Sequence, residues 1–134
     1  MLIVRPIPDP VQSADLCRSF GLTPDPDNMV YLAAEAESKD DVSPVLLGLC
    51  LFTLKGGKDE IVSLVYADGT HDTEALIIMA RAVMNFAYRC SVKTLYASDR
   101  LPEELSSALG FRRVGGRLAI DLEEFYKSPC SFGA

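Results

Sequence analysis

Few side chains in this sequence could act on a proton, a metal or an electrophile. His71 is the only histidine and the only side chain expected to titrate near neutrality. It has no evident sequence partner, so neither a Ser-His-Asp nor a Cys-His arrangement is indicated. The four cysteines, Cys17, Cys50, Cys90 and Cys130, include no C-x-x-C pair. With one histidine they make no zinc set, and no metal site is expected. They read instead as buried, reduced thiols. Arg112 and Arg113 could meet an anionic ligand, but neighbours on a strand face opposite ways, which leaves surface ion pairs as the simpler use. Asp72 or Thr73 is placed to cap a helix. Tyr66, Tyr88 and Tyr96 read as core or half-core aromatics.

The elements that must position these residues follow from pattern. Leu2 to Val4 is a short strand before Pro6 and Pro8. Asp9-Pro10 opens a helix with an N-cap carboxylate and a proline at N1, and Gly21 ends it. Thr23 to Asn28 is turn chemistry. Met29–Ala36, Val45–Leu54 and Glu60–Tyr66 form an antiparallel meander, its second hairpin turning at Gly56-Gly57. Leu76, Ala80, Val83 and Ala87 recur at helical spacing through Thr73–Arg89, the longest helix, with Arg81, Asn85 and Arg89 as its polar stripe. Lys93–Ala97 is a strand, Pro102–Leu109 a short helix ending at Gly110, and Phe111–Val114 and Arg117–Leu122 a closing hairpin. The order β α β β β α β α β β predicts an α+β (α/β) fold, a mixed and mainly antiparallel sheet with helices on both faces. Residues 1–126 read as a single domain and 127–134 as a frayed tail.

That order resembles the GNAT N-acetyltransferases, and the local sequence agrees at several points. Leu2 to Pro6 is similar to the family's opening strand, Glu60 to Val65 to its fourth strand, and Leu109-Gly110-Phe111 to its L-G-F junction. The likeness runs from residue 2 to about 126. It implies acetyl-CoA held along the end of strand four, at Val65 and Ala67, and over the loop Thr70-His71-Asp72-Thr73-Glu74-Ala75. In the family this loop reads R/Q-x-x-G-x-G/A, because amides at a helix N-terminus hold a pyrophosphate and glycine allows close approach. Only Ala75 fits here: Thr70 stands for the Arg or Gln and Thr73 for the central glycine, while Asp72 and Glu74 add negative charge. His71 in this loop would meet a phosphate or act as a base. The resemblance also implies a carboxylate base at the start of strand four, Asp59 or Glu60 depending on the count; both otherwise read as turn residues. An Asn with a Tyr seven residues on, which protonates the leaving thiolate in many members, is replaced by Asp99 and Ser106. One helix, not two, separates strands one and two. Two function classes follow: an N-acyltransferase acting on a small-molecule or peptide amine, and an inactive binding or scaffold module of the same fold.

Composition narrows the partners. The chain has 134 residues, 49% of them hydrophobic and 24% charged, which suits a globular domain with an ordinary core. A net charge of −6 leaves no basic cluster to displace counterions from a phosphate backbone, so neither nucleic acid nor an anionic membrane surface is expected as a partner. The first residues do not read as a signal peptide and no apolar run is long enough to span a membrane, which together predict a cytoplasmic protein. A homodimer is compatible with the sequence.

Overall fold

The structure is a computed structural model that describes residues 1–127; Cys130 and the rest of the expected tail lie outside the described residues. Seven strands form one sheet in the order β1-β2-β3-β4-β5-β7-β6, namely β1 (Leu2–Pro6), β2 (Met29–Glu35), β3 (Val45–Lys55), β4 (Lys58–Tyr66), β5 (Thr94–Ala97), β6 (Arg112–Val114) and β7 (Arg117–Asp121). All neighbours are antiparallel except β4 and β5, whose parallel pairing requires the crossover helix α2 (Thr73–Arg89) between them. The other helices are α1 (Pro10–Ser19), α3 (Glu103–Leu109) and α4 (Leu122–Lys127).

Local chemistry accounts for the element ends. The Asp9 carboxylate accepts from the Val11 and Gln12 amides at 2.8 and 3.2 Å, so α1 starts at Pro10 as the Asp-Pro pair implied. The β3–β4 turn places Gly57 at φ 86°, a conformation that costs glycine little. Helix α4 was not anticipated: strand β7 stops at Asp121, one residue short of the expected end, and Leu122 begins a helix. The Asp121 carboxylate accepts from the Glu124 amide at 3.0 Å, and Glu123 and Lys127 pair one turn apart. The cap and the acidic first turn are a helix start that hairpin reasoning passes over. Lys127 therefore closes a helix rather than opening a tail.

Two apolar layers hold the sheet. Helix α2 lays Leu76, Met79, Ala80, Val83, Met84 and Ala87 on Phe52, Ile61, Leu64 and Leu95, all fully buried. Each such side chain larger than alanine contributes about 1.5–3 kcal/mol. On the other face, α1 covers Val30, Leu32, Leu49 and Leu51 through Cys17 and the half-buried Leu16 and Phe20. The first turn of α2 comes unusually close to β3 at Gly48. A Cβ there would stand 2.5 Å from Leu76 Cδ1 and 2.9 Å from the Val65 carbonyl oxygen, so glycine sets how near the helix start sits to the sheet. Cys17 and Cys50 are buried free thiols as expected, but Cys90 is exposed because it caps α2 at its solvent end. Among the described residues, no helix is long and apolar enough to cross a membrane.

Candidate active site

Strand β4 carries an extra residue. Ser63 pairs with Leu51 and Ile61 with Phe52, which leaves Val62 as a bulge. A bulge bends its strand and increases the local twist, and here it lies where β4 parts from β5. The two strands share only the pairs Glu60–Tyr96 and Ile61–Ala97, with a last bond from the Ser98 amide to the Ile61 carbonyl at 2.9 Å. Beyond that point β5 has turned away while β4 continues to Tyr66. The N–H and C=O groups that point to this edge between Val62 and Tyr66 have no strand partner among the described residues. Such groups are free to pair with an extended ligand.

The loop at the end of this cleft satisfies itself. The Thr70 hydroxyl donates to the Ala67 carbonyl at 2.9 Å and lies 3.3 Å from the Leu47 carbonyl, so Thr70 ties the loop back to β3. The Ala67 amide donates to the Leu47 carbonyl at 3.0 Å, and Val65 faces the α1 layer. Asp72 is the N-cap of α2, accepting from the Ala75 amide at 3.0 Å, and the Thr73 amide goes to the His71 carbonyl. Among the described residues the Glu74 amide has no protein acceptor, and it lies beside its own exposed carboxylate. An anion here would meet the positive end of a helix together with the charges of Asp72 and Glu74.

Across the cleft mouth the fold gathers a group that sequence separation concealed. The Tyr66 hydroxyl lies 3.0 Å from Thr73 Oγ1 and donates to Glu104 Oε1 at 3.2 Å. His71 stacks on the Tyr66 ring with centroids 4.0 Å apart, and its Nε2 lies 3.1 Å from the same Glu104 oxygen. Burial, followed by the neighbouring carboxylates, pushes the Tyr66 phenol above its usual range, so it stays a neutral donor. Glu104 belongs to α3, which follows β5, so this contact bridges the two sides of the cleft. Tyr66 is half-buried as expected; Glu104 gave no signal beyond its place in a helix's first turn.

The two candidate bases separate by strand alternation. Ile61 packs under α2, so Asp59 shares that face, while Glu60 and Val62 point to the face of α1. Helix α1 covers only the β1–β3 half of that face. Glu60 lies beside Tyr96, a place also reached by Arg117, whose guanidinium carbon sits 3.7 Å above the Tyr96 ring and whose Nη2 is 3.8 Å from Glu60 Oε2. Asp99 is an exposed partner of Arg113 at 2.9 Å, the surface ion pair expected of that arginine. Ser106 is buried, with its hydroxyl donated to the Glu103 carbonyl at 3.2 Å, and is not available as an acid. Among the described residues no cluster of three or more His, Cys, Asp or Glu side chains could hold a metal ion.

A crossover helix after a bulged strand, and a parallel pair that parts halfway, define the GNAT acetyltransferase architecture, and comparison with solved structures agrees. A protein of Exiguobacterium sp. 255-15 classed as an acetyltransferase superposes with a TM-score of 0.64 at 13% identity, covering 96% of this chain and 99% of its own. YhhK from E. coli, solved bound to coenzyme A, gives 0.63 at 18% identity over 90% of this chain and 98% of its own. A KacTA–DNA complex gives 0.66 at 14% identity over 95% and 97%. The chain therefore has the GNAT fold. Neither a protein-family model nor a curated protein sequence matches it, and identities this low carry the fold without the chemistry.

Proposed function

We propose that this protein is an N-acyltransferase that takes acetyl-CoA in the β4/β5 cleft and acylates a small-molecule or peptide amine. The observation that carries this reading is the parting of β4 from β5 at the Val62 bulge. It leaves an edge of unpaired backbone groups from Val62 to Tyr66, long enough for the extended arm of the thioester donor. The YhhK complex with coenzyme A supports the choice of ligand on this fold. The residues fit the donor unevenly: the strand edge suits its amide-bearing arm, whereas the loop offers the Glu74 amide and the α2 N-terminus against two carboxylates.

Glu60 is the base in this reading. It shares a face with Val62 two residues away, and Arg117 Nη2 lies 3.8 Å from its Oε2. It takes a proton from the amine as nitrogen attacks the thioester carbon; the carbon–sulfur bond then breaks and the sulfur leaves as a thiolate. With Ser106 buried, that thiolate takes its proton from water, so catalysis rests on positioning and Glu60. The DNA in the KacTA complex does not transfer to this chain, whose net charge is −6.

The test is calorimetric titration with coenzyme A, paired with mass-spectrometric detection of acetyl transfer to a panel of amines. Binding with transfer that Glu60→Gln abolishes supports the enzyme. Binding that no amine converts to turnover favours the inactive module, which the occupied Thr70, Asp72 and Ser106 also fit.

A further inference from the structure

Toward the C-terminal end of α2 lies a cavity of about 660 Å³, the size of a small-molecule site. It opens where β1 ends and the start of β2 runs on past it. Its wall is an aromatic trio, Tyr31, Phe52 and Phe86, with centroids 5.5 Å apart for Tyr31–Phe52 and 6.2 Å for Phe52–Phe86. Phe86 lies about 20 Å along α2 from the loop at Thr73; Leu51 and Phe52 pair with Ser63 and Ile61 beside the Val62 bulge, but no β4 or β5 residue lines the cavity, which makes it distinct from the β4/β5 cleft.

Three features of the lining define what it would take. Five of the chain's eight prolines border it: Pro6, Pro8, Pro10, Pro24 and Pro26. Fixed φ angles in both segments flanking α1 preform the rim, which lowers the ordering cost of binding. Among the described residues no Lys, Arg or His lines the cavity, and its one charged group is Asp25. The Asp25 Oδ1 accepts from the Asp27 amide at 2.9 Å while Oδ2 has no protein partner among the described residues, and Asp27 is already paired with Lys55. The Tyr31 hydroxyl also has no hydrogen-bond partner among the described residues. Desolvation raises its pKa, so it offers a neutral donor.

We infer that this cavity is a binding site for a compact aromatic or alicyclic molecule bearing an amine, its ring against Tyr31, Phe52 and Phe86 and its ammonium toward Asp25. A lining whose one charged group is a carboxylate favours a cation over carboxylates, phosphates and the acyl donor itself. The inference is independent of acetyl transfer.

Three near-isosteric probes separate ring burial from charge: 1-naphthylmethylamine, 1-naphthalenemethanol and 1-naphthoate, titrated into the full chain and followed by amide chemical shifts. The amine should bind about fivefold or more tighter than the carboxylate at low salt, the size expected of an exposed charge contact, with the alcohol between. Shifts should centre on Tyr31, Leu51, Phe52 and Phe86. Asp25→Asn should bring the three affinities to within about twofold, and Ala14→Phe, which fills the cavity from α1, should abolish binding of all three. A melting curve on Ala14→Phe checks that it folds, and Ser13→Phe stands in if it does not. Saturation by none of the probes, tightest binding of the carboxylate, or shifts confined to the β4 edge would overturn the assignment. So would a concentration-dependent dimer, seen by sedimentation, that Ala14→Phe dissociates, because a second copy would then own the surface.

Discussion

Asp72 and Glu74 should weaken the hold of this fold on a polyphosphate, and removing their charges should strengthen it. Asp72 is committed to the Ala75 amide at 3.0 Å, and Glu74 stands in the same first turn of α2. A unit charge about 6 Å from a phosphate charge is repelled by roughly 3 kcal/mol at an effective dielectric near 20, and by under about 1 kcal/mol where water screens fully. Both carboxylates are exposed, so Asp72→Asn with Glu74→Gln should tighten coenzyme A by about 1–3 kcal/mol, roughly five- to 150-fold. Asparagine caps as well as aspartate, so the helix start is preserved. Adding Thr70→Arg and Thr73→Gly supplies a charge-assisted donor but removes the Thr70 hydroxyl contacts with the Ala67 and Leu47 carbonyls and the Thr73–Tyr66 contact, at a cost of about 1 kcal/mol each. That variant should bind tighter and melt lower. Calorimetry at low and high salt reads the effect, and the advantage of the double variant should shrink as salt rises. Micromolar binding by the native protein that none of the four substitutions alters would refute this account of the loop.

Other consequences are more local. Gly48→Ala should destabilise the fold by about 1–3 kcal/mol, because the new methyl meets Leu76 and a backbone carbonyl; an unchanged denaturant midpoint would show that α2 can back away freely. Cys90 should react with a thiol reagent in the native state while Cys17 and Cys50, buried and with their pKa values raised by desolvation, should wait for unfolding, as peptide mass spectrometry can tell. The Asp41 carboxylate is held below its usual range by the Glu37 and Ser43 amides. Its contribution to loop order is therefore present above the unfolded pKa of about 3.9 and lost as pH falls through the lower folded value. The two amide resonances should move together only below about pH 4, and movement near pH 5 would contradict it.

What could be read from residues was whatever depends on neighbours in the chain. The Asp9-Pro10 cap, the Gly56-Gly57 turn and the α2 periodicity are local signals, and each element formed where its signal stood. Helix α4 escaped because Asp121 fits equally well as a strand end and an N-cap, and the hairpin pattern before it argued for continuation. The site was legible in part. The position of the loop followed from the resemblance, but its internal bonds did not, since Thr70 turns inward to meet Leu47, a partner on another strand. Asp59 and Glu60 could not be told apart until Ile61 showed which face lies under α2. The Tyr66–His71–Glu104 group joins residues up to 38 positions apart, and no periodicity reports a contact made by tertiary packing alone.

The central claim is that the parted edge of β4 holds the acyl donor. Titrating coenzyme A into isotopically labelled protein and following backbone amides tests it most directly. Saturable shifts should centre on Val62 to Tyr66, Glu74 and Glu104, with the aromatic cavity residues Tyr31 and Phe86 unmoved. No shift at millimolar coenzyme A, or shifts that leave the β4 edge untouched, would contradict it.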